Sequence, residues 1–403
     1  MKIVYSIAGT YNSGGMERVL ANKANWLASD GHEVIILTTD QRGESPYFLL
    51  DARIKCYDLA INYEENNGKS FLNKLIHYPF KQWKHKRRMT ALLKELKPDI
   101  VISMFCNDAS FIPSIKDGSK KILEIHFSRF KRLQYGRKGL WRLADWWRYK
   151  TDARVVSRFD KFVVLTHEDK VYWGNLRNMC VIPNARTFEV SQPAILETKK
   201  AIAVGRFNHQ KGFERLIDAW AMVVSEMPDW TLHIVGDGEL RTELQQQIDC
   251  LNLSAHVILG RAEKDMISVY KDASILAMSS YYEGLPMVLL EAQAVGLPIV
   301  SFDCKCGPKD VIEDGVDGFL VKEGNIEELA QKLLVLMQDA NLRSQMGSAA
   351  YAHSERYSEA RIMKQWTELF DEVVEGKERK ELGKRRKLRR VGSDKEFKES
   401  FSD

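Results

Sequence analysis

No apolar run in this 403-residue chain reaches the roughly 18–20 residues needed to span a bilayer, so no membrane-crossing helix is expected. Residues 1–8 lead straight into a strand pattern and a polar loop, too short an apolar stretch for a secretory h-region. Six cysteines in a chain of this length make no disulfide framework, and the expected compartment is the reducing cytoplasm. Cys304 and Cys306 lack the second ligand pair of a zinc site and read as plain thiols. The first glycine-containing loop, Gly9-Thr10-Tyr11-Asn12-Ser13-Gly14-Gly15, lacks the G-x-G-x-x-G spacing of dinucleotide enzymes. A nucleotide-dependent dehydrogenase therefore ranks last among the enzyme classes. What is present is ordinary globular composition, 44% hydrophobic and 29% charged. The length suits about two domains, each with its own core.

Charge is unevenly spread. Residues 1–190 carry 32 Lys and Arg against 20 Asp and Glu, residues 191–375 carry 17 against 29, and residues 376–403 carry 11 against 6. The nets of +12, −12 and +5 give a basic half, an acidic half and a basic tail. The basic half is expected to approach something anionic, either a membrane face or a phosphorylated lipid acceptor. Two stretches there are basic and aromatic together: Phe80-Lys81-Gln82-Trp83-Lys84-His85-Lys86-Arg87-Arg88, and Arg129 to Lys150 with Trp141, Trp146 and Trp147. In the second, Leu140, Leu143, Ala144 and Trp147 fit one helical face flanked by Arg and Lys, which suits an interfacial helix on anionic lipid or a helix packed into the core. No reading motif accompanies the charge, so no nucleic-acid partner is expected. The tail is read as disordered in solution, either a tether to anionic membrane or a solvated end.

Apolar runs alternate with helical segments. In the first half, strands are predicted at residues 2–8, 33–37, 99–105, 121–126, 161–165 and 180–182, and helices at 16–29, 84–97 and 138–157. In the second, strands are predicted at 201–204, 231–235, 256–259, 274–278, 298–302 and 319–321, and helices at 212–227, 239–250, 285–295 and 326–337. Such alternation predicts doubly wound α/β domains with ligands at the carboxyl ends of the strands. A last helix, 358–374, carries Ile362, Trp366, Leu369, Phe370 and Val373 at helical spacing.

The stretch that organises the chain is Tyr281-Tyr282-Glu283-Gly284-Leu285-Pro286-Met287-Val288-Leu289-Leu290-Glu291. It follows an apolar strand, and Pro286 suits the first turn of a helix. Glu283 then lies in a strand-end loop and Glu291 about two turns into the helix. The helix start offers free N–H groups and a positive dipole end, a seat for an anion. A carboxylate beside an anion seat suits a ligand with both hydroxyls and phosphate, as in a nucleotide sugar. Upstream, Val204-Gly205-Arg206-Phe207-Asn208-His209-Gln210-Lys211-Gly212 puts Arg206 just past a strand and Lys211 just before a helix, so two cations can meet at one strand end. Gly14 and Gly15 open a helix where a backbone amide can approach a phosphate. His126 ends a strand in Glu124-Ile125-His126-Phe127-Ser128, and a satisfied, partly buried histidine is the plain reading of it.

Taken together, these motifs resemble the retaining GT-B glycosyltransferases of family 4 over about residues 1–375, most specifically over 203–320. The resemblance implies an α/β GT-B fold: two Rossmann-like, doubly wound parallel-sheet domains facing each other across a cleft. Residues 1–190 would form the acceptor-side domain and 191–350 the nucleotide-sugar domain. Residues 351–375 would cross back to the first domain, with 376–403 as the basic tail. It implies that Glu283 holds the sugar and Glu291 the ribose, and that Arg206 and Lys211 stabilise the departing diphosphate without a metal. Gly14 and Gly15 would face the phosphate, with His126 near sugar and acceptor. Gly236, Arg261, Gly284, Leu285 and Pro286 would complete the donor site. Relatives often place Asp after the histidine; here Phe127 follows, which leaves the imidazole without an evident local partner. The expected activity is transfer of a hexose from a nucleotide sugar, a UDP-sugar by preference, to a glycan or lipid-linked glycan. No cofactor is expected beyond the donor itself. A nucleotide-sugar epimerase of the same fold and an inactive membrane-associated scaffold remain as alternatives.

Overall fold

The computed structural model describes residues 1–66, 71–130 and 140–376. The predictions for residues 131–139 and for the tail at 377–403 lie outside the described residues, as do the side chains of Leu140, Leu143 and Ala144.

The first sheet has seven strands: β1 (Lys2–Ile7), β2 (Glu33–Thr38), β3 (Lys55–Asp58), β4 (Ile100–Ser103), β5 (Lys120–Glu124), β6 (Lys161–Val164) and β7 (Met179–Val181). They lie in the order β3-β2-β1-β4-β5-β6-β7, all parallel. Runs such as Ile3-Val4-Tyr5 are buried on both sides because helices cover both faces. On one face α1 (Gly15–Ser29) packs; on the other lies α2 (Phe71–Leu96), whose Met89 and Leu93 enter the core. Two further helices belong to this part, α3 (Leu140–Val156) and α4 (His167–Trp173).

The second sheet has six parallel strands: β8 (Lys200–Val204), β9 (Thr231–Val235), β10 (Val257–Gly260), β11 (Ile275–Met278), β12 (Ile299–Phe302) and β13 (Gly318–Val321). Their order is β10-β9-β8-β11-β12-β13. Around them run α5 (Phe213–Glu226), α6 (Arg241–Cys250), α7 (Met266–Lys271), α8 (Met287–Ala294), α9 (Pro308–Val311), α10 (Ile326–Gln338) and α11 (Ala340–Ser354). A final helix, α12 (359–376), returns to the first sheet, where Ile362, Trp366, Phe370 and Val373 share a core with Ile3, Tyr5 and Leu20. Among the described residues no helix is long and apolar enough to cross a membrane.

The periodicity reading missed β3, α4, α7, α9 and α11 and found only the second half of α2. β3 is an edge strand with all four residues exposed, so no alternation marks it. α11 buries Arg343, Gly347 and Ala350 rather than an apolar stripe, and Gly347 lies against the Gly296 carbonyl. α2 begins at Phe71, well before the predicted residue 84, and runs through Pro79.

Candidate active site

In each sheet the strand order reverses once, between β1 and β4 and between β8 and β11. Loops leaving adjacent strands there diverge to opposite faces and open a crevice at the carboxyl ends. The two crevices meet in one cleft of about 880 Å3, a volume within the range of small-molecule sites. The first sheet contributes Ser13 to Met16, Arg18, Tyr47 to Leu49 and His126. The second contributes Gly205, Lys211, Glu283 and the start of α8. An adjoining cavity of about 470 Å3 shares Gly14, Gly15 and Lys211 and adds Arg206, Gln210 and Gly236.

Lys211 Nζ lies 2.8 Å from Glu283 Oε1, and Gln210 Nε2 donates to the other carboxylate oxygen at 3.3 Å. Glu283 is only 7% exposed, so this ion pair is largely shielded from water and stronger than a surface pair. Room for the lysine stem comes from Gly205, where a Cβ would sit 2.8 Å from Lys211 Cε. Neither Gly14 before α1 nor Pro286 before α8 supplies a capping side chain. Their starts face each other: a Cβ on Gly15 would meet Met287 Cγ at 3.8 Å. Two positive helix ends thus converge on a cleft that already holds a cation, an arrangement suited to a polyanion.

Glu291 is buried and accepts from Thr187 Oγ1 and Tyr270 OH, each at 2.8 Å. Burial pushes its carboxyl up, against the pull of those two hydroxyls. Each oxygen keeps a lone pair for a ligand hydroxyl. Arg206 is exposed on the rim of the adjoining cavity. Across from it, burial pushes the Glu17 carboxyl of α1 up, opposed first by its own backbone N–H and then by Arg206, Asn12 and His126.

His126 has a carboxylate neighbour that the sequence reading did not find. Its Nε2 is 3.1 Å from Glu124 Oε1, and Glu124 is paired with Lys23 Nζ at 2.5 Å. Burial pushes Glu124 up, but Lys23 and His126 together outweigh it and hold the carboxyl down at about 2.

The cleft therefore gathers His126, Lys211, Glu283, Leu285, Pro286, Glu291, Gly14 and Gly15, with Arg206 and Gly236 in the adjoining cavity. Gly284 sits at the contact between the domains, where a Cβ would be 2.8 Å from the His126 carbonyl oxygen. A Cβ on Gly236 would be 1.9 Å from the Gly205 carbonyl, so this glycine lets the ends of β8 and β9 close together. Arg261 is exposed and does not line the cleft; its neighbours Ala262 to Lys264 do. The arginine that ties these strand ends is Arg241, donating to the carbonyls of Leu259, Gly236 and Gly260. Sequence reasoning also passed over the wall of Tyr47, Phe48 and Leu49, where the Arg18 guanidinium lies 4.6 Å from the Phe48 ring centroid. Their loop has no periodic signal, and only Arg18, in the Gly14-Gly15-Met16-Glu17-Arg18 run, was adjacent to a recognised motif.

The domains are clamped at the cleft's edge. Asp310 accepts from the first-turn N–H groups of His167 (2.6 Å) and Glu168 (3.3 Å), capping α4 from the opposite domain. Glu168 in return accepts from the Cys306 N–H at 2.9 Å. Cys304 and Cys306 are both buried, and burial pushes both thiols up, as befits packing residues rather than nucleophiles.

The model for Glycosyltransferase Family 4 matches residues 13–187, and that for Glycosyl transferases group 1 matches residues 185–353. The chain is 31% identical over 372 residues to an uncharacterized glycosyltransferase of Haemophilus influenzae, covering 91% of this chain and 98% of that one. It is 30% identical over 379 residues to a Campylobacter jejuni N-acetyl-D-galactosaminyltransferase named for a saccharide on PP-undecaprenol, covering 93% and 99%. In structure it resembles TarM of S. aureus, crystallised with UDP, at a TM-score of 0.73 and 18% identity over 92% of this chain and 99% of that one. That likeness shows the GT-B fold.

Proposed function

The chain belongs to the family 4 glycosyltransferases, glycosyl transferases group 1, and from that premise we propose that it transfers a hexose from a UDP-sugar to a glycan or lipid-linked glycan, with retention at the anomeric carbon. The observation that carries this reading is the pair of helix starts, neither with an N-cap side chain, facing each other beside the Lys211–Glu283 pair. As the bond from the anomeric carbon to the phosphate oxygen breaks, its electrons leave with the diphosphate. Lys211, Arg206 and the helix ends meet that charge, without a metal, in a cleft where low dielectric makes them effective. Glu283 holds the sugar hydroxyls, Glu291 the ribose, and His126 lies by the sugar and the incoming acceptor oxygen. Support for the substrate classes comes from the UDP-bound relative and the relative named for a PP-undecaprenol saccharide. The setting we infer is cell-surface polysaccharide assembly. Thermal shift against a panel of nucleotide sugars tests this: UDP-sugars are expected to raise the melting temperature, with UDP released once a lipid-linked saccharide is added. Stabilisation by no donor, or an isomerised sugar from donor alone, would overturn it.

A membrane surface is part of the same proposal. On α2 the outward stripe carries Phe80 (63% exposed) and Trp83 (56% exposed), with rings stacked 6.0 Å apart and Arg87 5.5 Å from the Trp83 centroid. On α3, Trp146 and Trp147 are exposed beside Lys150, and Arg148 reaches to 5.9 Å from the Tyr78 ring of α2. Exposed aromatics among cations suit the headgroup layer of anionic lipid. The double variant Phe80→Ser/Trp83→Ser is expected to lose most binding to vesicles containing phosphatidylglycerol, with donor binding unchanged. Undiminished sedimentation with vesicles would sink this placement.

A further inference from the structure

Between the cleft and the returning helix runs a buried line of side chains that the reading above uses only at one end. Trp366 of α12 is 1% exposed, and the Lys23 ammonium of α1 lies 3.7 Å from its ring centroid. Lys23, 5% exposed, pairs with Glu124 at the end of β5, which is 1% exposed. Beyond Glu124 comes His126, its Nε2 3.1 Å away and its side chain 6% exposed, on the cleft wall. A buried ion pair is an inefficient way to stabilise a core, because desolvation offsets most of the attraction and apolar residues of the same volume do as well. Here one partner of the pair ends at a site residue. In the sequence the imidazole is followed by Phe127, so the next residue offers it no carboxylate.

We propose that Glu124 is the positioning residue for His126, kept ionised by Lys23, with Trp366 shielding the ammonium from water. This rests on His126 belonging to the transferase site. A carboxylate only accepts, so the nitrogen facing it carries a proton, and in the neutral imidazole Glu124 fixes that proton on Nε2 and leaves Nδ1 the acceptor. The 3.1 Å contact is close without being aligned as a hydrogen bond, and both Nε2 and Glu124 Oε2 keep unused bonding capacity. A small rotation of the ring on ligand binding completes the bond. Other charged or titratable groups facing this pair are Tyr5 of β1, whose hydroxyl burial and Glu124 push up, and Glu17, which faces His126 from the first turn of α1. Through Trp366, α12 supports the opposite end of the line.

The test uses the full chain labelled with 15N-histidine, the His126 resonances being identified by their loss in His126→Asn. In the wild type these signals are expected to show a fixed Nε2–H tautomer, and in Glu124→Gln a tautomer mixture. Unchanged His126 signals in Glu124→Gln overturn the proposal, whatever the activity, since this readout needs no substrate. In turnover, Glu124→Gln is expected to lower kcat about 10-fold or more, the scale of losing an outer partner of a functional histidine, with the donor KM within about two-fold. Added to His126→Ala, it should cost nothing further; a second independent loss would make Glu124 merely structural and refute the assignment. Should Glu124→Gln alone fail to fold, Lys23→Met/Glu124→Gln replaces the pair with neutral groups of similar volume. Full kcat in that folded double variant overturns the proposal as well. If no donor supports turnover, the transferase reading fails while the tautomer result still stands or falls by itself.

Discussion

Lys211→Ala is expected to lower turnover roughly 10²-fold or more, the scale of removing one preorganised stabiliser of developing charge. Two effects combine. The cation that meets the departing diphosphate is gone, and Glu283, 7% exposed, loses the partner 2.8 Å away. Among the described residues only Gln210 Nε2, at 3.3 Å, remains on that carboxylate. The two effects separate in a double-mutant cycle. If the loss came chiefly from an unpaired Glu283, neutralising it in Lys211→Ala/Glu283→Gln would restore part of the rate. If the cation itself matters, the double variant is at least as slow as the single. Folding should survive, because Lys211 belongs to a loop at the end of β8 and not to the core around Phe207 and Trp220. Circular dichroism and melting check that point, and steady-state kinetics the rest. Full turnover in Lys211→Ala would remove the assignment.

Gly284→Ala should be as damaging by a different route. Its Cβ would lie 2.8 Å from the His126 carbonyl oxygen, 2.9 Å from Phe127 Cα and 3.1 Å from the His126 carbonyl carbon. All three are backbone atoms of the opposite domain, so no side chain can swing aside. Either the domains separate by several tenths of an ångström or the His126 loop moves. Displacements approaching 1 Å at a reacting site cost about 10² in rate. A loss of that order in kcat/KM is expected, with the melting temperature lowered by only a few degrees because neither core is touched. Gly15→Ala is the comparison for folding alone, since Gly15 itself would face the donor in the same cleft. There the nearest atom is Met287 Cγ at 3.8 Å, an ordinary contact, so the protein accommodates the methyl group. Equal activity in Gly284→Ala and wild type would show that the two loops do not need to approach so closely.

Local signals carried much of this molecule. Apolar runs of β-branched residues located the strands, and Gly and Pro at strand ends located the loops that form the cleft. Glu283, Lys211 and Gly15 were legible because each sits beside such a signal, within a few residues of a strand end or a helix start. The Tyr47–Leu49 wall was not, since a loop of mixed residues has no period to read. The partner of His126 was missed for a related reason. A search that looks at the next residue finds Phe127, whereas the carboxylate lies two residues back and its own counter-ion lies 101 positions away, on α1.

The amino-acid sequence by itself determined the two alternating α/β halves, the charge division between them and the strand-end placement of the motifs, because those follow from side-chain periodicity and backbone preference over a few residues. Tertiary structure alone decided that the starts of α1 and α8 face each other, that Asp310 caps a helix of the other domain and that Lys23 lies between Glu124 and Trp366. These contacts join residues about 100 to 340 positions apart, and only the packing of two sheets and a returning helix brings them within reach. No local preference encodes such a distance.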